Sequence, residues 1–157
     1  SEAVGSLVVF ERGLPKRSEY RRFRIRTVPG MNDFAMVAEV VRRRYLRRLA
    51  ESEVLPDLLL IDGGAGQLSS ALSSLAALGL AERIPTIGLA KREEEVYLAD
   101  RATPLRPNPN VAPMLLLRAV RDEAHRFAVT YHRTRRRMRL REEFDDASSP
   151  AARPSPG

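Results

Sequence analysis

The sequence predicts an α/β domain, and three observations carry the prediction: two short strands at the start, an amphipathic helical period after them, and an apolar run, Leu58 to Ile61, that ends in Asp62 and a glycine-rich turn. Its 157 residues are enough for one hydrophobic core. Residues 7–10 and 20–25 read as strands joined through Gly13-Leu14-Pro15, a hairpin with a turn of several residues. Then the period changes. From Asp33 to about Arg48, apolar residues at Met36, Val37, Val40, Val41, Tyr45 and Leu49 recur at three- and four-residue steps, which predicts a helix with an arginine-rich outer face. Asn32 or Asp33 can cap it after the Pro29-Gly30 turn. Pro56 precedes the strand 57–61, and residues 67–78, rich in Ala and Leu, form a second helix stopped by Gly79. Residues 86–89 and 96–98 are strands about a charged turn, 104–109 an irregular loop, and 114–139 a long last helix. The domain is placed at 1–140, and the tail 141–157, with its Pro and Ser from Ala147 onward, is expected to be disordered.

Asp62 is the candidate with chemistry. At the carboxyl end of a buried strand of parallel type, a side chain turns into the crevice where open α/β sheets bind ligands, and Gly63, Gly64 and Gly66 allow a sharp turn into the next helix. Asp62 is thus a metal ligand or acid/base group, or else a cap on that helix. The turn lacks the Lys-Ser/Thr ending of a phosphate loop and the glycine spacing of a dinucleotide fold.

Composition narrows the partners. With no cysteine, disulfides and thiolate metal sites are excluded, so a metal must be held by carboxylate, imidazole and water, which suits Mg2+ or Mn2+ better than structural zinc. No apolar run is long enough to span a bilayer and no signal peptide is evident, so a soluble, cytoplasmic protein without a membrane partner is expected. The net charge of +7 favours a polyanion. All basic residues but Lys16 and Lys91 are arginine, and they cluster at 16–26, 42–48 and 133–141, which predicts nucleic-acid contact.

The run Arg121-Asp122-Glu123-Ala124-His125-Arg126-Phe127-Ala128-Val129-Thr130-Tyr131-His132-Arg133 resembles the signature near the end of the nuclease domain in the C-terminal half of the UvrC family, a component of the bacterial excinuclease ABC. Further pieces match in the family's order: Val4-Gly5-Ser6-Leu7-Val8-Val9-Phe10, Ser18-Glu19-Tyr20-Arg21-Arg22-Phe23, Asn32-Asp33-Phe34-Ala35-Met36, the Asp62 strand, and Gly88-Leu89-Ala90-Lys91-Arg92-Glu93-Glu94-Glu95. The resemblance covers about residues 3–137 and implies an RNase H-like mixed sheet flanked by helices. It also implies a first, central strand, carrying a catalytic Asp, between the strands 7–10 and 57–61. That strand precedes Val4 in the family, whereas here only Ser1, Glu2 and Ala3 do, so the chain is expected to be a fragment with the central strand missing, one metal ligand short and open along a seam. The family's GIY-YIG domain, partner-binding hairpin segment and helix-hairpin-helix domain have no counterpart in it.

The activity implied is Mg2+- or Mn2+-dependent hydrolysis of a DNA phosphodiester on the 5′ side of a lesion, with damaged duplex DNA and the UvrB subunit as partners. Asp62 matches the family's catalytic Asp, and His125 a His that binds metal or acts on water, so the two are expected to converge within several Å. Asp33 matches an acidic position tied to the same incision, or caps its helix. Lys91 is placed to steady the scissile phosphate, or is a solvated lysine beside Glu93 and Glu94. Asp122 orients His125 or pairs with an arginine, and His132, two turns beyond His125, faces phosphate or is structural. Arg21, Arg22, Arg43, Arg133 and Arg136 are the candidate DNA contacts. Ala65 stands where the family commonly has Lys, and Arg118 where it has Gln. The competing reading is a catalytically dead RNase H-like remnant that binds nucleic acid or a repair partner.

Overall fold

The computed structural model describes residues 3–26, 32–91 and 94–148, and these form a mixed α/β fold with three helices and small sheets, consistent with an RNase H-like domain. Strand β1 (Val4–Leu7) pairs antiparallel with β4 (Arg21–Arg24), Val4 opposite Arg24 and Leu7 opposite Arg21. Inside that connection, β2 (Phe10–Glu11) and β3 (Leu14–Pro15) form a second, smaller hairpin, followed by a single 3-10 turn at Arg17–Glu19. The expected strand 7–10 is therefore two strands, and the turn has two residues. Arg12 and Gly13 both have positive φ, 55° and 81°, which is the backbone a tight hairpin turn with the right twist requires.

Helix α1 (Asp33–Ala50) starts where the sequence places it, and the capping choice falls on Asn32, whose side chain accepts from the backbone N–H groups of Phe34 and Ala35. Strand β5 (Leu59–Asp62) is parallel to β6 (Thr86–Leu89), which pairs antiparallel with β7 (Val96–Leu98); α2 (Ala65–Ala77) connects β5 to β6. Gly79, with φ 71°, ends the turn after α2.

Two hydrophobic clusters lie on the two faces of this sheet. Val41 and Tyr45 of α1 and Ala71 and Leu75 of α2 enclose Ile61, with Leu59 packed against them. On the other face Leu89, Val96 and Met114 are buried, with Leu60, Ile87 and Leu117 around them, and this cluster seats the last helix, α3 (Ala112–Ser148). Alternation along β5 thus sends Leu59 and Ile61 to the α1/α2 side and Leu60 to the α3 side. By the same period Asp62 belongs to the α3 side.

The β1–β4 ladder and the β5–β6–β7 ladder share no strand pairing. They are held together by helices: α3 contacts both β1 and β5, α1 contacts β1, α2 contacts β5, and α1 packs along α2. Close approach of α1 to β1 depends on Gly5, where a Cβ would stand 2.5 Å from Val40 Cγ2.

Helix α3 continues to Ser148, so the expected disorder from 141 is corrected over 141–148, while 149–157 lie outside the described residues. The segment has good helix formers (Arg, Leu, Glu, Met) and meets no Pro or Gly before Pro150, so nothing local stops it near Arg139. Among the described residues no helix is long and apolar enough to cross a membrane.

Gly88 faces Ile61 in the parallel ladder, and a Cβ there would lie 2.9 Å from the Gly63 carbonyl oxygen. Because the obstacle is backbone, Gly88→Ala should lower stability by about 1–3 kcal/mol in denaturant unfolding. An unchanged midpoint would show that the turn after Asp62 yields freely.

Candidate active site

Asp62 is the last residue of β5, and the chain leaves the sheet immediately after it. The Gly63 N–H donates to the Leu89 carbonyl at 3.1 Å, and the Gly64 N–H donates to Gln67 Oε1 at 3.1 Å, so both sides of the turn are tied. A Cβ on Gly66 would be 2.6 Å from the Phe34 ring at the start of α1, so a larger residue there would displace that ring. Gly64 is the N-cap of α2 and no side chain caps that helix, which frees the Asp62 carboxylate from a capping role.

Across the sheet face, His125 of α3 meets it. His125 Nε2 lies 3.0 Å from Asp62 Oδ2, and each side chain is 39% exposed. Nε2 is itself buried and, despite that distance, has no hydrogen bond of acceptable geometry. An oxygen and a nitrogen so placed would together serve as ligands of one divalent cation. A carboxylate oxygen is a ligand for hard divalent cations, and an imidazole nitrogen one for transition ions. Among the described residues no third His, Asp or Glu joins them.

The rotation of α3 that presents His125 is set from the β4 side. The Tyr20 hydroxyl donates to Glu123 Oε2 at 2.9 Å, and the Tyr20 ring meets Phe127 edge-on with centroids 5.0 Å apart. The Arg22 guanidinium lies 3.7 Å from the Phe127 centroid and 4.8 Å from that of Tyr131, and its Nη2 donates to the Phe127 carbonyl at 3.2 Å. On the β6–β7 side Arg118 Nε stands 2.9 Å from Glu94 Oε1. The bond from Arg126 holds the Glu123 carboxyl below the usual range against the opposing effect of burial, and the Tyr20 hydroxyl adds to it. Burial and the bond to that carboxylate push the Tyr20 phenol up.

The other candidates are placed as follows. Asp33 is the first residue of α1, exposed, and among the described residues it makes no hydrogen bond or ion pair with Asp62 or His125; Phe34 nevertheless sets that helix end against the turn after Asp62. Lys91 is exposed, two residues past the end of β6, at the sheet edge where Asp62 and Leu89 are in register. Its expected neighbour Glu94 is engaged with Arg118, and Glu93 lies outside the described residues. Asp122 stands 3.5 Å from Arg121 Nε, which favours the arginine pairing over an orienting role on His125. The side chain of His132 lies outside the described residues. Ala65 opens α2.

Of the arginines, Arg21 donates to the carbonyls of Ser18 and Tyr20 at 2.9 and 2.8 Å. Arg22 is occupied on α3, and Arg43 donates to the Arg24 carbonyl at 2.7 Å and to Glu39 Oε2 at 3.1 Å. Arg133 and Arg136 are exposed on α3. Reading by sequence missed the Tyr20–Glu123 bond and the buried Glu39, which accepts from the Arg26 N–H at 2.9 Å. The four-residue step from Glu39 to Arg43 was a readable signal for the second of these, whereas nothing local links Tyr20 to Glu123.

Comparison with known proteins places the chain. Residues 1–129 match the family model described as UvrC RNAse H endonuclease domain. The chain is 54% identical over 143 residues to the UvrABC system protein C of Methanococcoides burtonii, covering 89% of this chain and 23% of that protein. It is 49% identical over 140 residues to that of Methanosarcina acetivorans, covering 89% and 27%, and 46% identical over 142 residues to that of Koribacter versatilis, covering 90% and 23%. The chain therefore spans about a quarter of the length of these relatives.

The depressed Glu123 carboxyl makes the stability of the fold pH-dependent, first through Arg126 on the same helix and then through the Tyr20 bond that docks it. A carboxyl lowered by folding stabilises the fold above its ordinary value of 4.5, and that contribution is lost as pH falls through the folded value beneath it. Thermal midpoints followed by circular dichroism should thus fall more steeply below pH 4.5 in the parent than in Glu123→Gln. Parallel curves would remove Glu123 from the docking of α3.

Proposed function

Since the chain belongs to the family of the UvrC RNAse H endonuclease domain, we propose that its Asp62–His125 site serves metal-dependent hydrolysis of a DNA phosphodiester, the 5′ incision of nucleotide excision repair. The observation that carries the reading is the approach of His125 Nε2 to within 3.0 Å of Asp62 Oδ2 at the carboxyl end of a parallel strand. Asp62 and His125 would hold Mg2+ or Mn2+, and the ion supplies polarisation of a phosphate oxygen and a water of lowered pKa. Asp62 brings one negative charge and a hard oxygen ligand. His125 brings a neutral nitrogen, or takes a proton from the attacking water at Nε2. Water oxygen bonds to phosphorus, the P–O bond to the neighbouring nucleotide breaks, and that oxygen leaves with a proton. Lys91, at the same sheet edge, adds positive charge where the phosphate gathers it, and Asp33 stands on the flank formed by α1. The exposed Arg133 and Arg136, with Arg21, Arg22 and Arg43, belong to the electrostatic approach of DNA.

The relatives carry the name UvrABC system protein C, and on that basis damaged duplex DNA and the UvrB subunit are the partners we assign to the whole protein, acting in the cytoplasm. The interval between β1 and β5 is where the central strand expected from the resemblance belongs, and two observations among the described residues support this: both strands contact α3 yet share no pairing, and the site holds two donors where a further acidic group is expected. The same donor count favours a second reading, a module that binds nucleic acid without cutting it.

A nicking assay on lesion-bearing duplex DNA, with the partner subunits supplied, separates the two. The chain as given should bind DNA in a salt-sensitive way with little Mg2+- or Mn2+-dependent incision. Extension by an Asp-bearing strand should restore incision, and Asp62→Asn in the extended chain should lower it roughly 100-fold or more. Equal activity from all three would refute the site.

A further inference from the structure

We propose that the groove between β4 and α3, lined by Val4, Arg22, Arg24, Arg26, Arg43 and Tyr131, holds the phosphate backbone of one DNA strand beside the cleaved bond. The proposal rests on the nuclease reading for the identity of the polyanion, and on the groove itself for the site. Arg22, Arg24 and Arg26 alternate along one face of β4 and its extension, so their attachment points follow one another at about 7 Å. That is close to the step between successive phosphates on an extended strand. Across the ladder Ser6 stands opposite Arg22 and Val4 opposite Arg24.

The described lining carries four guanidinium groups and no carboxylate, in an open groove of about 340 Å³. Glu39, 4% exposed behind them, already accepts from the Arg26 N–H and from Arg43 Nη1. Like charges so gathered repel one another and create a potential that an anion relieves. Guanidinium forks suit phosphate oxygens in particular, and they read backbone, not bases. Arg22 is already fixed face-on against Phe127 and Tyr131, so it is pre-ordered before an anion arrives. Tyr131 stands six residues beyond His125 on α3, about 9 Å of helix rise. A strand lying in the groove is thus within a few nucleotides of the Asp62–His125 pair.

The test uses the whole 157-residue chain, fluorescently labelled duplex and single-stranded DNA, and EDTA, with anisotropy read at rising salt. Arg24→Glu/Arg26→Glu should weaken binding at least about tenfold and make the log–log salt slope shallower by about 2, the value for two lost phosphate contacts. The matched control Arg83→Glu/Arg101→Glu changes net charge equally at exposed positions outside the groove. Equal losses in both variants, or an unchanged slope, would overturn the groove and leave net charge alone as the cause. If charge reversal prevents folding, judged by the thermal midpoint, Arg24→Gln/Arg26→Gln gives the same comparison with about half the charge change. Because binding is read without metal and incision is read separately, loss of the groove and loss of the nuclease reading are distinct results.

Discussion

The lie of α3 across two sheets that share no strand pairing is the constraint on which the site depends. Asp62 belongs to one ladder, whereas Tyr20 and Arg22 belong to the other or its approach, and α3, which carries His125, contacts both ladders. Its apolar seat on Leu60, Leu89 and Val96 fixes where it lies, but apolar contact is non-directional and leaves rotation loosely defined. Direction comes from the Tyr20–Glu123 bond and from Arg22 against Phe127. Turning the helix by one residue would swing every side chain through about 100° and carry His125 off the carboxylate. Each of these polar and cation–π contacts is worth only about 1 kcal/mol, which is little against the whole fold and sufficient against a rotation.

A second constraint is the register of β5. Its side chains alternate, so the burial of Leu59 and Ile61 against α1 and α2 compels Asp62 to face α3. A slip by one residue would turn the carboxylate toward the larger core, where a charge without a partner is costly. The glycines then act by absence: Gly66 admits the Phe34 ring, and Gly88 admits the Gly63 carbonyl, so the turn closes down behind Asp62 without a side chain between it and the next layer.

Much of this was legible in the chain because it is written in local patterns. The β5 apolar run, the α1 period and the strands 86–89 and 96–98 read correctly, since burial on defined faces dictates residue type at fixed spacing. The nested hairpin did not read, because β2 and β3 are two residues each and Arg12 in a positive-φ position carries no warning in its residue type. The end of α3 was misplaced for the opposite reason: charged residues mark both a solvated helix and a tail, and only a breaker separates the two. The meeting of Asp62 with His125 is a tertiary fact. Residue pattern could nominate Asp62, but His125 came from the resemblance alone, and so did the expectation that they converge.

The arginines show why charge is a poor guide to role when read as a sum. In the first basic cluster, Arg22 is stacked on aromatic rings and Arg21 is bonded to nearby carbonyls, while in the second Arg43 ties α1 to β4 through Glu39 and the Arg24 carbonyl. These are short-range fixtures whose worth lies in geometry. Attraction of a polyanion is different, because it depends on potential summed over many charges and fades over a Debye length of about 8–10 Å. The same guanidinium can serve both ends only if its planar face is used inward and part of its edge remains exposed; Arg22 lays its face on Phe127 and Tyr131 and uses one edge nitrogen on the Phe127 carbonyl. The nucleic-acid affinity and the chemistry proposed for Asp62 and His125 are therefore separable in physical terms: the first would survive loosening of α3 by fractions of an ångström, and the second, set by a 3.0 Å approach, would not.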